Sequence, residues 1–412
     1  MRILFPLLAV FLLSHHLLAQ TAEVDYRFDG TGISRAVLEN YLQRSITMTD
    51  LLTPPGFEND GAFSGKEDDL RLLRNIRPKF IGRSIYRWGR EDTLADPRFL
   101  EGAKQIVAKI HEIDPDIVLQ GCLFEAVTQK VNGLAVPAWA FETLGLPVEA
   151  RNFQYEKMLA ANGKFVDHWG KGSSVPDITQ QETQLWFLYL AGFYLDVGCE
   201  AFHLGQVELI GMNDVGREHW VHLIEHMRKI AAKKARRGWV LFDAHTPHGG
   251  MVVDGKSLLD FNSFPLRIKG IPEKPLEGKL EKGYIDAIFG RSLGCVTPSG
   301  WKCDSLPYLV EFDNFGISQT PGKPTDYFIW GYDEISWFFL QEEEYRKQWL
   351  KYATKWVREN DSNGFLQMPV GRVVTTGRSD LPRRFRANTV SDAVPKGMNL
   401  EETIKEIFSG VR

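Results

Sequence analysis

Residues 184–208 read QLWFLYLAGFYLDVGCEAFHLGQVE, and this stretch contains the unit from which we predict the fold. Its first part is a long run of apolar and aromatic residues, which predicts a helix over 178–197. A short apolar strand follows over 201–207 and ends in polar side chains. A helix that leads into such a strand is typical of α/β proteins, in which helices cover parallel strands.

The same unit recurs along the 412 residues of the chain. Helices are predicted over 97–113, 178–197, 217–237 and 334–360. Strands are predicted over 80–88, 116–124, 201–207, 239–244, 266–271, 285–289, 307–312 and 364–368. Such units close most simply into a single (β/α)8 barrel, the TIM barrel. An open doubly wound sheet is the alternative, but no Gly-rich phosphate-binding turn supports it.

Both ends of the chain are predicted to lie outside the barrel. Residues 1–22 have the features of a signal peptide, because Arg2 precedes an apolar run over 3–13 that is too short to span a bilayer. An N-terminal membrane anchor is the alternative. We assign 23–375 to the barrel, with an N-terminal extension and an elaborated loop over 128–176. Residues 376–412 form a tail with a short helix. The mature protein is expected to be secreted or periplasmic, with no membrane span.

Charge and cysteine content narrow the classes of function. The chain has 49 basic and 53 acidic residues, so it lacks the basic surface that would bind a nucleic acid. Four cysteines are too few for a disulfide-based scaffold. Cys295 and Cys303 bracket a short loop, where export would favour a disulfide, whereas Cys122 and Cys199 fall in or near predicted buried strands. No motif indicates a cofactor, and the sequence leaves the oligomeric state open.

Acidic side chains stand at the ends of several predicted strands. Side chains two residues apart share one face of a strand, so some of these acids have polar partners on their own face. The acids are Glu125, Glu208, Asp243 and Glu311, and the partners are Gln206, His245 and Asp313. Because the carboxyl ends of barrel strands carry catalytic residues, we expect the four acids to share one cleft. Structural salt bridges or helix caps are the alternative for any one of them.

Several acids and many aromatic residues, without a cofactor motif, indicate cleavage of glycosidic bonds. One carboxylic acid protonates the leaving oxygen, while an ionised carboxylate attacks the sugar or activates water. We assign Glu311 as nucleophile or base, Glu208 as general acid and Asp243 as the reserve for either role. The predicted substrate contacts are Glu125, His203, Gln206, His245, Asp313, Trp301, Trp330 and Tyr332.

The sequence around the two main acids predicts a difference in charge. Glu208 is flanked by Val207, Leu209 and Ile210 without a neighbouring Lys or Arg, and an apolar setting would raise its pKa. Glu311 lies near Asn314, and a facing arginine would keep the Glu311 carboxylate ionised. Glu208 would then hold the proton that the leaving group needs.

Two other functions fit parts of the sequence. Asp243, His245 and His248 have a spacing that suits metal ligands, which would indicate a metal-dependent hydrolase or deacetylase. A carbohydrate-binding barrel without catalytic activity would use the same aromatic residues. The chain has neither the G-x-S-x-G motif of serine hydrolases nor a phosphate-binding P-loop.

The chain resembles secreted glycoside hydrolases of the barrel class. The resemblance rests on the signal peptide, on GQVE at 205–208 and on VEFDN at 310–314. It is similar to the large retaining clan whose acid/base follows strand four and whose nucleophile follows strand seven, which implies these roles for Glu208 and Glu311. That clan has Asn before its acid/base where this chain has Val207, and the predicted strand before Glu208 is the third. Size and export also resemble the secreted endo-fucanases of marine bacteria.

Overall fold

A curled sheet of ten mainly parallel strands forms the centre of this mixed α/β protein. The computed structural model describes residues 24–58, 66–246, 249–271, 273–283, 286–288, 291–314, 333–376 and 380–410. The strands of this sheet are β1 Ser45–Met48, β2 Phe80–Ile85, β3 Val118–Cys122, β4 Ala201–Gln206, β5 Leu241–His245, β6 Asn262–Pro265, β7 Tyr308–Glu311, β8 Gly364–Leu366, β9 Met368–Val373 and β10 Arg384–Arg386.

The sheet runs in the order β8-β7-β6-β5-β4-β3-β2-β1-β9-β10. All neighbouring pairs are parallel except β9 with β10. Only Gln367 separates β8 from β9, so one continuous segment pairs with β7 on one side and with β1 on the other. Gln367 also bonds to both neighbours, because its backbone N–H donates to Val310 and its side chain accepts from Thr47 Oγ1, each at 2.8 Å.

Helices connect most of the successive parallel strands, which need long connections. The α-helices of the described residues are α1 Arg35–Leu42, α2 Lys66–Ile76, α3 Pro97–Ile113, α4 Ala138–Thr143, α5 Gln181–Val197, α6 Val207–Ile210, α7 Glu218–Lys234, α8 Glu334–Phe339, α9 Glu343–Asn360 and α10 Glu401–Gly410, of which α1 precedes β1 and α10 follows β10. The start of α3 shows how the local sequence sets such an element. Asp96 accepts a hydrogen bond from Arg98 N at 2.9 Å, and Pro97 occupies the first turn, where no backbone donor is needed.

The segment before β1 covers the amino-terminal ends of the strands. Tyr26 and Ile33 of this segment pack in one buried cluster with Phe80 and Leu241, which begin β2 and β5. Trp301 lies at this end too, since its Nε1 donates to Ile33 O at 3.1 Å. Because apolar side chains fill this end, a polar cleft between the strands belongs at their carboxyl-terminal ends.

Shorter elements surround the main sheet. The loop after β3 is tied at its base by an antiparallel pair, Val127–Thr128 with Ser173–Ser174. The other short strands are Val252–Val253, Lys256–Ser257, Lys269–Ile271, Lys274–Lys279, Cys295–Val296 and Lys302–Cys303. None of the helices within the described ranges has the length and apolar character needed to cross a membrane.

The predicted helices agree with the structure more closely than the predicted strands. The helix predicted over 97–113 is confirmed with the same bounds, whereas 334–360 is divided into α8 and α9. The strand β1 was not predicted, because it has only four residues and two of them are Ser45 and Thr47. Of the strand predicted over 266–271, only Lys269–Ile271 is a strand, and it belongs to a separate two-stranded sheet rather than to the main one. The strand of the main sheet in this region is β6, which ends at Pro265.

The missed strand changes the numbering of the others. Residues 286–288 do not form the strand predicted over 285–289, of which 285 and 289 lie outside the described residues. With β1 included, Ala201–Gln206 is the fourth parallel strand rather than the third, and Tyr308–Glu311 is the seventh.

Candidate active site

A cleft of about 730 Å³ opens at the carboxyl-terminal ends of the parallel strands. Strands from all parts of the sheet line it, through Arg83 of β2, His203 of β4, His245 of β5 and Arg372 of β9. The predicted site residues among its lining are Glu125, His203, Gln206, Glu208, His245 and Asp313.

Glu311 is buried directly beneath this lining. Arg372 Nη1 lies 2.7 Å from Glu311 Oε2, Arg83 forms an ion pair with Oε1, and His245 Nε2 lies 2.8 Å from the same oxygen. Burial by itself would raise the pKa of Glu311, but the charges of Arg83 and Arg372 and the bond from His245 lower it well below its ordinary value. The facing arginine expected from the sequence is therefore present, and a second one accompanies it.

Arg83 reaches Glu311 from an unusual backbone conformation. Its φ is 54°, and the pairing of β2 with β3 shifts register between Ile81 and Ile85. Its backbone N–H donates to Gln120 Oε1 at 2.9 Å, which fixes this kink to β3. A left-handed conformation costs a non-glycine residue about 1–3 kcal/mol and is found preferentially at functional sites.

Asp243 does not face the cleft as a free acid. It is 2% exposed, and Gln120 Nε2 donates to its Oδ1 at 2.5 Å. Its Oδ2 accepts from Ser263 Oγ at 2.7 Å and from His203 Nδ1 at 2.8 Å. Three donors therefore occupy the carboxylate, and its geometry suits a group that orients its neighbours rather than one that transfers protons.

Glu208 lies at the rim of the cleft, in α6 rather than at the end of a strand. Its side chain is 55% exposed, and Arg217 Nη2 is 3.1 Å from its Oε1. The apolar setting predicted for Glu208 is therefore wrong, because β4 ends at Gln206 and the following turn carries Glu208 outwards.

Glu125 is fixed in the cleft wall beside Glu208. Its Oε2 accepts from Gln206 N at 2.9 Å, and its Oε1 accepts from Gln206 Nε2 at 3.0 Å. The contact depends on Gly205, which has a φ of 68° and whose missing Cβ leaves the space that Glu125 Oε2 occupies. Trp169 Nε1 donates to the backbone oxygen of Glu125 at 2.8 Å. Glu125 is thus preorganised for contact with a ligand.

Asp313 faces the cleft from the loop after β7 and is held by a second buried acid. Glu334 accepts from the backbone N–H of Asp313 at 3.1 Å and from that of Ile268 at 2.8 Å, so it joins the loops after β6 and β7. Burial raises the pKa of Glu334 to about 7, although the charge of Arg267 lowers it in part. Arg267 itself lines the cleft.

Aromatic side chains form one wall of the cleft. Trp88 and Trp169 meet edge to face with ring centroids 5.5 Å apart, and Tyr86 and Phe124 do so at 5.4 Å. All four line the cleft on the side of β2 and β3. Trp88 is 39% exposed, so part of its surface can contact a ligand. Such rings can pack on the apolar face of a sugar.

The aromatic contacts predicted from sequence are elsewhere. The assignment of Trp301 is wrong, because its indole bonds to Ile33 at the amino-terminal ends of the strands, away from the cleft. Trp330 and Tyr332 lie outside the described residues. The sequence reasoning did not assign Trp88, Tyr86, Phe124, Arg83 or Arg372 to the site. The signal available was their position at the ends of β2, β3 and β9.

A metal site formed by Asp243, His245 and His248 was one of the alternatives predicted from the sequence. Asp243 and His245 have different partners, Asp243 with His203 and His245 with Glu311, and His248 lies outside the described residues. Within the described ranges, no group of three or more His, Cys, Asp or Glu side chains has an arrangement that could hold a metal ion.

No protein-family model matches this chain, and no curated protein matches it. The chain has limited structural similarity to several solved structures. The native form of the debranching enzyme from Nostoc punctiforme has 10% identity and a TM-score of 0.43, over 90% of this chain and 80% of that one. An alpha-galactosidase from Thermus thermophilus, in complex with p-nitrophenyl alpha-D-galactopyranoside, has 15% identity and a TM-score of 0.34, over 56% of this chain and 44% of that one.

The third structure is the trehalose-6-phosphate hydrolase of Bacillus licheniformis, with 7% identity and a TM-score of 0.29, over 51% of this chain and 46% of that one. The matched region thus spans about half the length of the galactosidase and of the trehalose-6-phosphate hydrolase.

Proposed function

We propose that this protein is a secreted or periplasmic glycoside hydrolase that cleaves an extracellular polysaccharide or oligosaccharide. The observation that carries the proposal is the buried Glu311, whose pKa is held well below its ordinary value by the charges of Arg83 and Arg372, and which lies under a cleft of about 730 Å³ whose rim holds Glu208. Hydrolysis of a glycosidic bond needs two such carboxyl groups in different protonation states. An aromatic wall on one side of the same cleft suits a sugar ring.

The proposed roles rest on the charges around Glu311 and on the position of Glu208 at the rim. Glu311 supplies the negative charge, as the nucleophile or as the base for water, because Arg83 and Arg372 hold it ionised. Glu208 protonates the leaving oxygen, since it is exposed at the rim, where the remainder of a long substrate would leave. Glu125 binds the substrate, fixed by Gln206.

The proposal extends to the architecture. The segment that contains β8 and β9 pairs with β7 and with β1, and this pairing supports a complete (β/α)8 barrel of eight parallel strands. In this view residues 23–375 form the catalytic barrel with its extension, residues 376–412 form the tail, and residues 1–22 direct export. Glu208 and Glu311 would then follow the fourth and seventh barrel strands.

A carbohydrate-binding protein without catalytic activity is the second candidate. One observation favours it: both oxygens of Glu311 are hydrogen bonded and its side chain is only 3% exposed. A substrate carbon would have to approach past Arg83 and His245. A binding protein would need the aromatic wall but no reactive carboxylate.

A panel of soluble polysaccharides and oligosaccharides separates the two candidates. The purified protein would be incubated with each glycan, with and without a chelator, and new reducing ends and chain length would be measured. We expect new reducing ends from at least one glycan, at the same rate with chelator. Binding without cleavage of any glycan would support the second candidate, and activity restored only by a divalent ion would support the metal site.

A further inference from the structure

The imidazole of His203, a residue that lines the cleft, has one buried nitrogen without a partner among the described residues. Its Nδ1 lies 2.8 Å from Asp243 Oδ2, whereas its Nε2 is buried and has no hydrogen-bond partner among the described residues. The residue is 2% exposed and lines the cleft. Its ring packs edge to face against Phe124 and His245, with centroids 6.0 and 5.0 Å away. An unpaired buried nitrogen is costly unless a ligand completes it.

The partners of Asp243 determine where the proton of His203 lies. A carboxylate only accepts, and Gln120 Nε2 and Ser263 Oγ donate to it together with His203. His203 therefore carries its hydrogen on Nδ1. Burial lowers the pKa of His203, although Asp243 raises it in part, and the ring is neutral. The Nε2 atom is then a hydrogen-bond acceptor.

We propose that His203 Nε2 accepts a hydrogen bond from a hydroxyl group of the substrate, and that Asp243 is a positioning residue that fixes the tautomer of His203. This inference rests on the proposed function, because it takes the ligand to be a carbohydrate. A sugar hydroxyl can donate a hydrogen bond to the lone pair of Nε2. A carboxylate or sulfate group has no hydrogen to donate and would place one of its own lone pairs against that of Nε2. His203 Nε2 therefore selects a sugar that has a free hydroxyl group, rather than a sulfate or carboxylate group, at the position next to it.

The tautomer can be measured without any substrate. In protein labelled with ¹⁵N, the ring nitrogens of His203 are assigned from the signals that disappear in His203→Asn. We expect the proton on Nδ1 in the wild type, and a loss of this preference in Asp243→Asn, whose amide can itself donate. A wild-type ring with its proton on Nε2 would overturn the proposal, whatever the protein hydrolyses.

Two substitutions test the contributions of the two ring nitrogens of His203 separately. Asn at position 203 keeps a donor near the place of Nδ1 but has nothing at Nε2, whereas Gln places its amide near Nε2. For the glycan that is cleaved, we expect His203→Asn to lower kcat/KM by about 10–100-fold, as for an unpaired polar group in a binding site, and His203→Gln to recover part of it. Equal kcat/KM in His203→Asn and the wild type would overturn the proposal. If no glycan is cleaved, the proposed function fails, but the NMR result still stands.

A second inference comes from a separate observation, the pair of Cys295 and Cys303. These residues are directly opposite each other in an antiparallel pair, and their Sγ atoms are 3.8 Å apart as free thiols. Opposed residues in such a pair have Cα atoms about 4.5–5.5 Å apart, within the range that a disulfide spans. The loop between them bonds to the N-terminal segment, since Ser299 Oγ accepts from Ile33 N at 3.0 Å.

We infer that Cys295 and Cys303 form a disulfide when the protein meets an external disulfide as oxidant. One thiolate attacks the external disulfide and displaces one of its thiols, and the second thiolate then attacks the mixed disulfide and displaces the other. Two protein thiols are oxidised and one external disulfide is reduced. The bond would fix the loop that anchors the segment covering the amino-terminal ends of the strands.

Mass spectrometry tests this inference. The wild type is incubated with excess oxidised glutathione, and the remaining thiols are alkylated after denaturation. We expect the loss of two hydrogen atoms, a linked peptide that contains Cys295 and Cys303, and alkylated Cys122 and Cys199. The Tm of the oxidised wild type should fall when reductant is added, whereas the Tm of Cys303→Ser should not. Four alkylated cysteines, or a bond to Cys122 or Cys199, would overturn the inference.

Discussion

Arg372 Nη1 and Glu311 Oε2 are 2.7 Å apart, and neither side chain is more than 3% exposed. Two charges so deeply buried are costly to separate, because the one that remains has lost its water. The pair also explains how an acid at the floor of a cleft stays ionised at neutral pH, which glycoside cleavage requires of one carboxylate.

Arg372→Met should move the acid limb of the pH profile of kcat/KM to higher pH. The substitution removes a positive charge from Glu311, so the pKa of Glu311 rises, and the carboxylate is protonated at a higher pH than in the wild type. Unfolding in urea should show a loss of about 3–5 kcal/mol, since one partner of a buried pair is gone.

Arg384→Met is the matched control for this change. Arg384 Nη2 lies 2.8 Å from Asp50 Oδ2, and both side chains are at most 9% exposed. The control should lose stability without any change in the acid limb. If both variants shift the limb equally, or neither does, then Arg372 does not act through Glu311.

Glu334→Gln should change how stability depends on pH. The pKa of Glu334 is raised from 4.5 to about 7, so between these values the folded protein holds a proton that the unfolded chain lacks. This contribution favours folding below about pH 4.5 and is lost as the pH rises to about 7. The free energy of unfolding of Glu334→Gln should therefore rise relative to that of the wild type as the pH increases from about 4.5 to about 7. Urea unfolding at pH 5 and 7.5 measures the difference, with the exposed Glu344→Gln as control. If the free energies of unfolding of Glu334→Gln and the wild type changed equally between the two pH values, the raised pKa of Glu334 would be contradicted.

Gly205→Ala should destabilise the protein and disturb Glu125. Residue 205 has a φ of 68°, and an added Cβ would meet Glu125 Oε2. We expect a loss of about 1–3 kcal/mol in urea unfolding, as for other residues forced into sparse backbone regions, together with a lower kcat/KM. Gly216→Ala is the control, because its Cβ would make only ordinary contacts, from 3.6 Å. Equal effects of the two variants would contradict this account.

Glu208→Gln should be selective for the leaving group. A variant without the general acid cannot protonate a natural sugar leaving group, but an activated aryl glycoside needs no proton. We expect kcat to fall far more on the natural glycan than on the aryl glycoside. Glu125→Gln should lower both to a similar extent, because Glu125 only binds. The same loss on both substrates in Glu208→Gln would remove Glu208 from the role of acid.

The parts of the fold that could be predicted have a clear local signal. The helix α3 carries a cap at Asp96 and apolar residues at helical spacing, and its bounds were predicted correctly. The strand β1 has no such signal, because Ser45 and Thr47 are buried only through contacts with β2 and β9, which are distant in sequence. Missing it displaced the strand count by one and hid the fact that Glu208 follows the fourth strand.

The site shows the same limit. The rule that acids at strand ends converge predicted one cleft for the four acids. Glu125 and Glu208 do line the cleft, whereas Asp243 and Glu311 are buried behind lining residues, in contact with His203 and His245. The rule could not tell which acids are open to the cleft. That depends on partners from other strands, such as the Gln120 that bonds to Asp243 and the Arg83 that covers Glu311.

The most direct test of the proposed function is the turnover of Glu311→Gln on a glycan that the wild type cleaves. Gln has nearly the same shape as Glu but no charge. A melting curve first establishes that the Glu311→Gln variant is folded. We predict that kcat falls on the order of 10³-fold or more, while the exposed Glu218→Gln remains at the wild-type rate. Near-wild-type turnover by folded Glu311→Gln would contradict the assignment of Glu311 as the reacting carboxylate.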